Sequence, residues 1–303
     1  MFHVKVPATS ANLGPGFDCM GLALTLYNNF YAEKSDKLEF ILKGTYTQNI
    51  PTDERNLLWR TACRLWKKID YTPTPLRITL DSCVPPARGL GSSSTAVVGG
   101  LMIANAVAGN PLDRFELLKL ASEIEGHPDN VTPAICGGIT LTVMTKDVLI
   151  PRCLAKNPLF KSVVVIPDIL VETEKARKIL PASVSRADVI YNASRVGLLV
   201  DAFINEEYSL LAVATQDKIH QNQRASLIPG MTDALNSAVE AGAYGAALSG
   251  SGPTLIAFCP DGNVDTVAET MKAVLSKHSL SSVTMALDVD SEGAVLTTTS
   301  SSY

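Results

Sequence analysis

Residues 85–95 read Pro85-Pro86-Ala87-Arg88-Gly89-Leu90-Gly91-Ser92-Ser93-Ser94-Thr95. Two glycines beside four hydroxyl side chains suit a loop that grips an anion: glycine lets backbone approach closely, and serine or threonine hydroxyls reach phosphate oxygens or a metal. A strand-like run (76–83) precedes them, and an apolar stretch without a turn signal (96–107) follows. Strand, glycine loop, then helix aims several backbone N–H groups at one anion and adds the positive end of the helix dipole. A flexible Gly/Ser linker would not sit between a β-branched run and an Ala/Val/Leu/Ile helix. The segment lacks the Gly-Lys-Ser/Thr ending of a Walker loop, so a nucleotide here has to be held without that lysine.

Three other groupings carry chemistry. Asn12 and Asp18 stand in a Gly/Pro loop between strand-like runs, where they either close the turn or grip a small ligand's amino or hydroxyl groups. Glu123-Ile-Glu125-Gly-His127-Pro-Asp129-Asn130 packs three carboxylates and a histidine into a helix end. Mg²⁺ wants one or two carboxylates plus phosphate oxygens, which a glutamate here and the Ser/Thr cluster would supply. The small-residue run 246–254, with Ser249, Ser251 and Gly252, allows close backbone approach. Arg195 and Arg224 are either surface arginines or bidentate partners for a carboxylate.

The elements that must position these groups follow from periodicity and turn signals. Strands are expected at 4–8, 22–33, 38–43, 76–83, 138–144, 162–166, near Ala246, at 254–259 and at 282–289. Helices are expected at 56–69, 112–126, 174–180, 186–204, 208–215, 231–241 and 264–276. The weakly periodic stretch 147–160, with Pro151 and Pro158, marks a domain junction, giving domains 1–155 and 156–303 in an α+β chain. Residues 297–303 are Ser/Thr-rich and expected to fray.

The chain has 303 residues and a net charge of −4, with no basic block to meet nucleic-acid phosphates. No apolar run reaches membrane-spanning length, and the N-terminus lacks a signal-peptide core. Six scattered cysteines without a C-x-x-C pair read as reduced, mostly buried thiols of a cytoplasmic protein. The four histidines show no H-E-x-x-H pattern, which argues against a dedicated catalytic zinc.

Taken in order, the glycine clusters resemble those of the GHMP kinase superfamily over nearly the whole chain, and Gly-Leu-Gly-Ser-Ser-Ser is specific to it. Four segments, 11–21, 127–134, 171–177 and 248–255, resemble its homoserine kinase branch. A mevalonate kinase would instead show Pro-Ser-Gly-x-Asp near His127–Asn130. The resemblance implies an N-terminal ribosomal protein S5 domain 2-like domain and a C-terminal ferredoxin-like α/β sandwich. It also implies transfer of the ATP γ-phosphoryl to the hydroxyl of L-homoserine, in threonine biosynthesis, and a homodimer. By the same resemblance, residues 85–95 hold the ATP phosphates, Asn56 lies on the adenine side, and Ser92 or Ser93 with Glu123 holds Mg²⁺. The segment before His127 varies in length in the family, so Glu125 also qualifies as the metal ligand. Asn12, Asp18, His127, Asn130, Arg195 and Arg224 match substrate-holding positions, and Thr173 lies in a branch-typical segment. Asp18, Glu123 and Arg195 are the expected catalytic set. No residue stands out as a general base, and a loose phosphoryl-transfer transition state does not require one.

Overall fold

A computed structural model describes residues 1–298. The first half runs β1 (Phe2–Ala11), β2 (Met20–Lys34), β3 (Glu39–Gly44), α1 (Leu57–Lys68), β4 (Leu76–Ser82), α2 (Ser92–Val107), α3 (Arg114–Glu125), α4 (Val131–Cys136), β5 (Ile139–Met144) and β6 (Leu149–Ala155). The second runs β7 (Lys161–Pro167), α5 (Thr173–Lys178), α6 (Arg186–Ile204), α7 (Leu211–Ala214), α8 (Gln221–Arg224), α9 (Met231–Glu240), β8 (Gly245–Leu248), β9 (Leu255–Cys259), α10 (Val264–Lys277), β10 (Ser282–Leu287) and β11 (Val295–Thr298).

Seven strands form the first sheet, in the order β11-β1-β2-β4-β3, with β5 on the first part of β2 and β6 on β5. All pairs are antiparallel except β3–β4, which the α1 crossover makes parallel. Helix α2 lies on β1, and α1 lies on α2. The Trp66 indole N–H pins that helix pair by donating to Ala104 O at 3.0 Å. Buried Val4, Val6, Phe30, Leu58, Val97 and Leu101 fill the space between sheet and helices.

The second sheet has the order β10-β7-β9-β8, antiparallel throughout. With helices between β7 and β8 and between β9 and β10, this is the ferredoxin-like arrangement. The run Val163-Val-Val-Ile166 is apolar at every position because both faces of β7 are covered. Val163 and Val165 pack with Met231, Val267 and Met271 of α9 and α10. Val164 and Ile166, pointing the other way, join Leu199 and Phe203 of α6 and reach Leu13, Met20, Leu22 and Leu24 of the first half. That shared core sets the two halves against each other.

Several expectations shift. Residues 147–160 contain strand β6, whose Pro151 is tolerated because β6 pairs with β5 alone and forms an edge. The serine run begins α2 rather than preceding it. The short helices α4 and α8 carry too few turns for a periodic signal. Thr297 and Thr298 lie in β11, paired with His3 and Phe2 of the first sheet. The rest of that expected frayed segment, residues 299–303, lies outside the described residues. All six cysteines are free, but only Cys259 is fully buried. Among the described residues no helix is long and apolar enough to cross a membrane.

Candidate active site

Between the halves lies a cleft of about 340 Å³, walled by the N-terminal loop, the glycine loop before α2, the end of α3, α5, and the third glycine cluster. Its floor is the start of α2. Gly91 caps that helix in a left-handed conformation (φ 68°), and among the described residues no side chain caps its first N–H groups. They therefore remain available to an anion. Gly89 (φ 77°) is packed so closely that a Cβ there would fall 2.3 Å from Ser249 O. Ser249 Oγ lies 2.6 Å from Gly89 O, so the third glycine cluster braces the loop. Arg88 reaches away from the loop and ties it to the second half, donating to Pro167 O and to Asp168 at 3.1 Å.

Within residues 85–95 the roles separate. Ala87, Arg88, Gly89, Gly91, Ser92, Ser93 and Ser94 line the cleft. Leu90 and Thr95, expected to bind phosphate, are buried and turned into the protein. Thr95 Oγ1 is taken up by Asn28 and Ser92 O. Pro85 is buried and does not line the cleft, whereas Pro86 lines a side cavity of about 260 Å³. That cavity meets the cleft at Ala87, Ser92 and Ser93 and also contains Asn56. The Asn56 side chain is spent on structure: Oδ1 caps α1 at Leu58 N and Nδ2 donates to Pro51 O.

Glu123, the glutamate favoured from sequence for the metal, does not line the cleft. Glu123 faces a different, larger cavity beside Phe115 and Lys119. Glu125, the last residue of α3, enters the cleft and accepts from Ser93 Oγ at 2.9 Å and Ser94 Oγ at 3.1 Å. Residues two apart on a helix point about 200° apart, so only one of the pair can face α2.

Arg195 does not line the cleft either. Its guanidinium stacks on Tyr191 at 3.2 Å and bonds Gln216, on the outer side of α6. Arg177 occupies the cleft instead, donating to both Asp18 oxygens at 2.7 and 2.9 Å. Sequence reasoning passed over Arg177, although it ends the branch-typical segment 171–177.

Arg224 is buried. Its Nε donates to Ala176 O, and its Nη1 meets His220 Nδ1 and Gly250 O at 3.1 Å, leaving Nη2 towards the cleft. Burial, and then the charge of Arg177, pull its pKa down to about 10. His220 is fully buried and its Nε2 lies 2.7 Å from Gly14 O. Because a carbonyl only accepts, Nε2 carries the proton and Nδ1 receives from Arg224.

Asn12 (φ 72°) spans the third cluster and the N-terminal loop: Nδ2 donates to Gly250 O, and Oδ1 accepts from Asp18 N. Asn130 Oδ1 accepts from Thr9. His127 Nδ1 lies 2.5 Å from the buried Asp129 carboxylate. Burial works against the His127 charge, but the bond to Asp129 and its charge outweigh this and raise the pKa above the ordinary value. Asp18, His127 and Asp129 bring ligand atoms within 4.8 Å of one another, yet Arg177 and the His127–Asp129 bond already engage them. Thr173 Oγ1 reaches Ser251 Oγ at 3.3 Å on the rim. Asp129, Gly250 and Ser251 complete the wall.

An uncapped helix start facing a carboxylate and two arginines, between an S5-like half and a ferredoxin-like half, is the arrangement of a GHMP kinase. The GHMP kinases N terminal domain model matches residues 56–138 and the GHMP kinases C terminal model residues 199–277. Homoserine kinase of Desulfitobacterium hafniense is 49% identical over 98% of this chain and 100% of that protein. Homoserine kinase of Trichormus variabilis is 43% identical over 96% and 97%. The crystal structure of homoserine kinase from Cytophaga hutchinsonii superposes with a TM-score of 0.88 at 29% identity, covering 98% of this chain and 97% of the other. The chain belongs to the homoserine kinase family.

Proposed function

We propose that the cleft transfers the γ-phosphoryl of ATP to the side-chain hydroxyl of L-homoserine, forming O-phospho-L-homoserine on the route to threonine. The observation that carries this reading is the uncapped start of α2 facing Asp18, Arg177 and Arg224 across one cleft. The helix start suits phosphates, and the two guanidiniums with a carboxylate suit the two charges of an amino acid. Gly89, Gly91, Ser92, Ser93 and Ser94 are assigned to the triphosphate, and the side cavity at Asn56 and Pro86 to the adenine. Arg177 and Arg224 are assigned to the α-carboxylate. Asp18, Asn12, His127 and Asn130 are assigned to the ammonium and hydroxyl.

The donors beside the phosphate site are all oxygens: the Glu125 carboxylate and the Ser92, Ser93 and Ser94 hydroxyls. This is the set a hard divalent cation takes. Glu125 with Ser92 or Ser93 would hold Mg²⁺, which would supply positive charge against the negative charge developing on the transferred phosphoryl group.

For the transfer itself the chain supplies positioning. A loose phosphoryl-transfer transition state draws little on removal of the proton from the attacking hydroxyl. The hydroxyl is therefore assigned to attack without an essential protein base. The test is ADP formation from ATP and Mg²⁺ with L-homoserine, mevalonate and shikimate side by side. Turnover of mevalonate or shikimate above homoserine would overturn the substrate, and no ADP with any of them would mark a binding protein on a kinase fold.

A further inference from the structure

Phe17, partly exposed, is not among the residues lining the cleft, yet it is the common neighbour of both cleft arginines. Its ring centroid is 5.7 Å from Arg177 Cζ and 5.3 Å from Arg224 Cζ. The ring also stacks against His220 at 5.1 Å with planes 29° apart. His220 in turn fixes Arg224 through Nδ1 and the N-terminal loop through Gly14 O. One aromatic ring, carried on the loop that presents Asn12 and Asp18, thus lies against both guanidiniums and against the histidine that fixes one of them.

Two guanidiniums that share one target must sit close together before the target arrives, and they repel each other. Asp18 offsets this for Arg177 with two hydrogen bonds. Arg224 feels the charges of Asp18, Asp217 and Asp129, but among the described residues its hydrogen bonds go to two carbonyls and a neutral imidazole, with no carboxylate. The electron-rich face of an aromatic ring attracts a cation within about 6 Å, and the attraction grows as water is excluded. An aliphatic side chain of similar bulk fills the same space without that attraction.

The geometry points to Phe17 as a positioning residue that holds Arg177 and Arg224 at the spacing one carboxylate needs, and so sets selectivity for an α-carboxylate. The inference rests on the homoserine reading of the same cleft and concerns only how the amino-acid carboxylate is selected.

The test compares wild type with Phe17→Leu and Phe17→Tyr, using L-homoserine and 3-aminopropan-1-ol, which keeps the hydroxyl and amine but lacks the carboxylate. The amine is followed by turnover or as a competitive inhibitor. Phe17→Leu is expected to raise KM for L-homoserine about tenfold while kcat and KM for ATP stay within about twofold. For 3-aminopropan-1-ol its effect should vanish, and Phe17→Tyr, which keeps the ring, should behave as wild type. Equal losses with both substrates, a matching rise in KM for ATP, or no change with either would overturn the inference. If Phe17→Leu does not fold, Phe17→Met provides the same comparison. Failure of wild type to use L-homoserine, visible before any variant is assayed, would overturn the substrate reading and this inference together.

Discussion

Arg177 on α5 grips Asp18 of the N-terminal loop through both carboxylate oxygens, joining residues 159 positions apart across the cleft. The pair is half-exposed, so its worth lies less in stability than in what it holds ready. An amino acid carries the same two charges, and entering the cleft it can replace each partner's contact with the other.

Removing Arg177 therefore has a defined signature. Arg177→Ala should raise KM for L-homoserine by about 10- to 100-fold, the loss of a charge-assisted bond, with KM for ATP little changed. Arg195→Ala, which removes a side chain stacked on Tyr191 outside the cleft, should leave both within about twofold. Steady-state kinetics with each substrate varied would decide it; a larger defect in the Arg195 variant would reverse the assignment.

The two glutamates of α3 separate in the same way. Glu125→Gln should lower kcat by about 100-fold or more and raise the Mg²⁺ concentration needed for half-maximal rate, since a lost carboxylate weakens the grip on a hard cation. Glu123→Gln, facing the other cavity, should change neither. A Mg²⁺ titration at saturating ATP is the measurement.

Asp18→Asn tests the absence of a base. The expected result is a rise in KM for homoserine larger than the fall in kcat, with the shape of the pH profile retained. A fall in kcat that exceeds the KM effect, with one limb of a bell-shaped profile lost, would instead make Asp18 the proton acceptor.

His127 provides a pH dependence. Its folded pKa is raised above the ordinary 6.5, because the bond and charge of Asp129 outweigh burial. The stabilisation is therefore fully present below the ordinary histidine pKa and is lost as pH rises through the folded one. The stability deficit of Asp129→Asn should be largest at mildly acidic pH and shrink towards alkaline pH. Urea melts at a series of pH values would show it, and a deficit that grows with pH would refute the assignment.

Gly89→Ala should cost at least about 1 kcal/mol of stability, from a non-glycine residue in the left-handed region. It should also raise KM for ATP, because the new Cβ would meet backbone at Ser249 O and push the loop off its brace. Thermal melts and ATP titrations measure the two effects.

The chain's own order of residues determined most of the scaffold. Alternating and continuous apolar runs marked β2, β4 and β7, and helical spacing marked α1 and α6, because those patterns register burial directly. Glycine and serine between a strand and an apolar run marked the start of α2, since few other residues permit that turn. Strand β6 and the paired end of β11 escaped notice: an edge strand with a proline and a four-residue return strand have little pattern to read.

Only the tertiary structure decided which of several chemically equivalent residues faces the cleft. Glu123 and Glu125 differ by about 200° of rotation on one helix, so packing of α3 against α2 chose Glu125. Arg195 and Arg177 differ in which helix the second sheet presents to the N-terminal loop, a relation no local spacing encodes. The same holds for Phe17, whose contacts come from residues some 160 and 200 positions away. Composition can name a carboxylate, a guanidinium or a ring, but direction and company come from how distant segments pack.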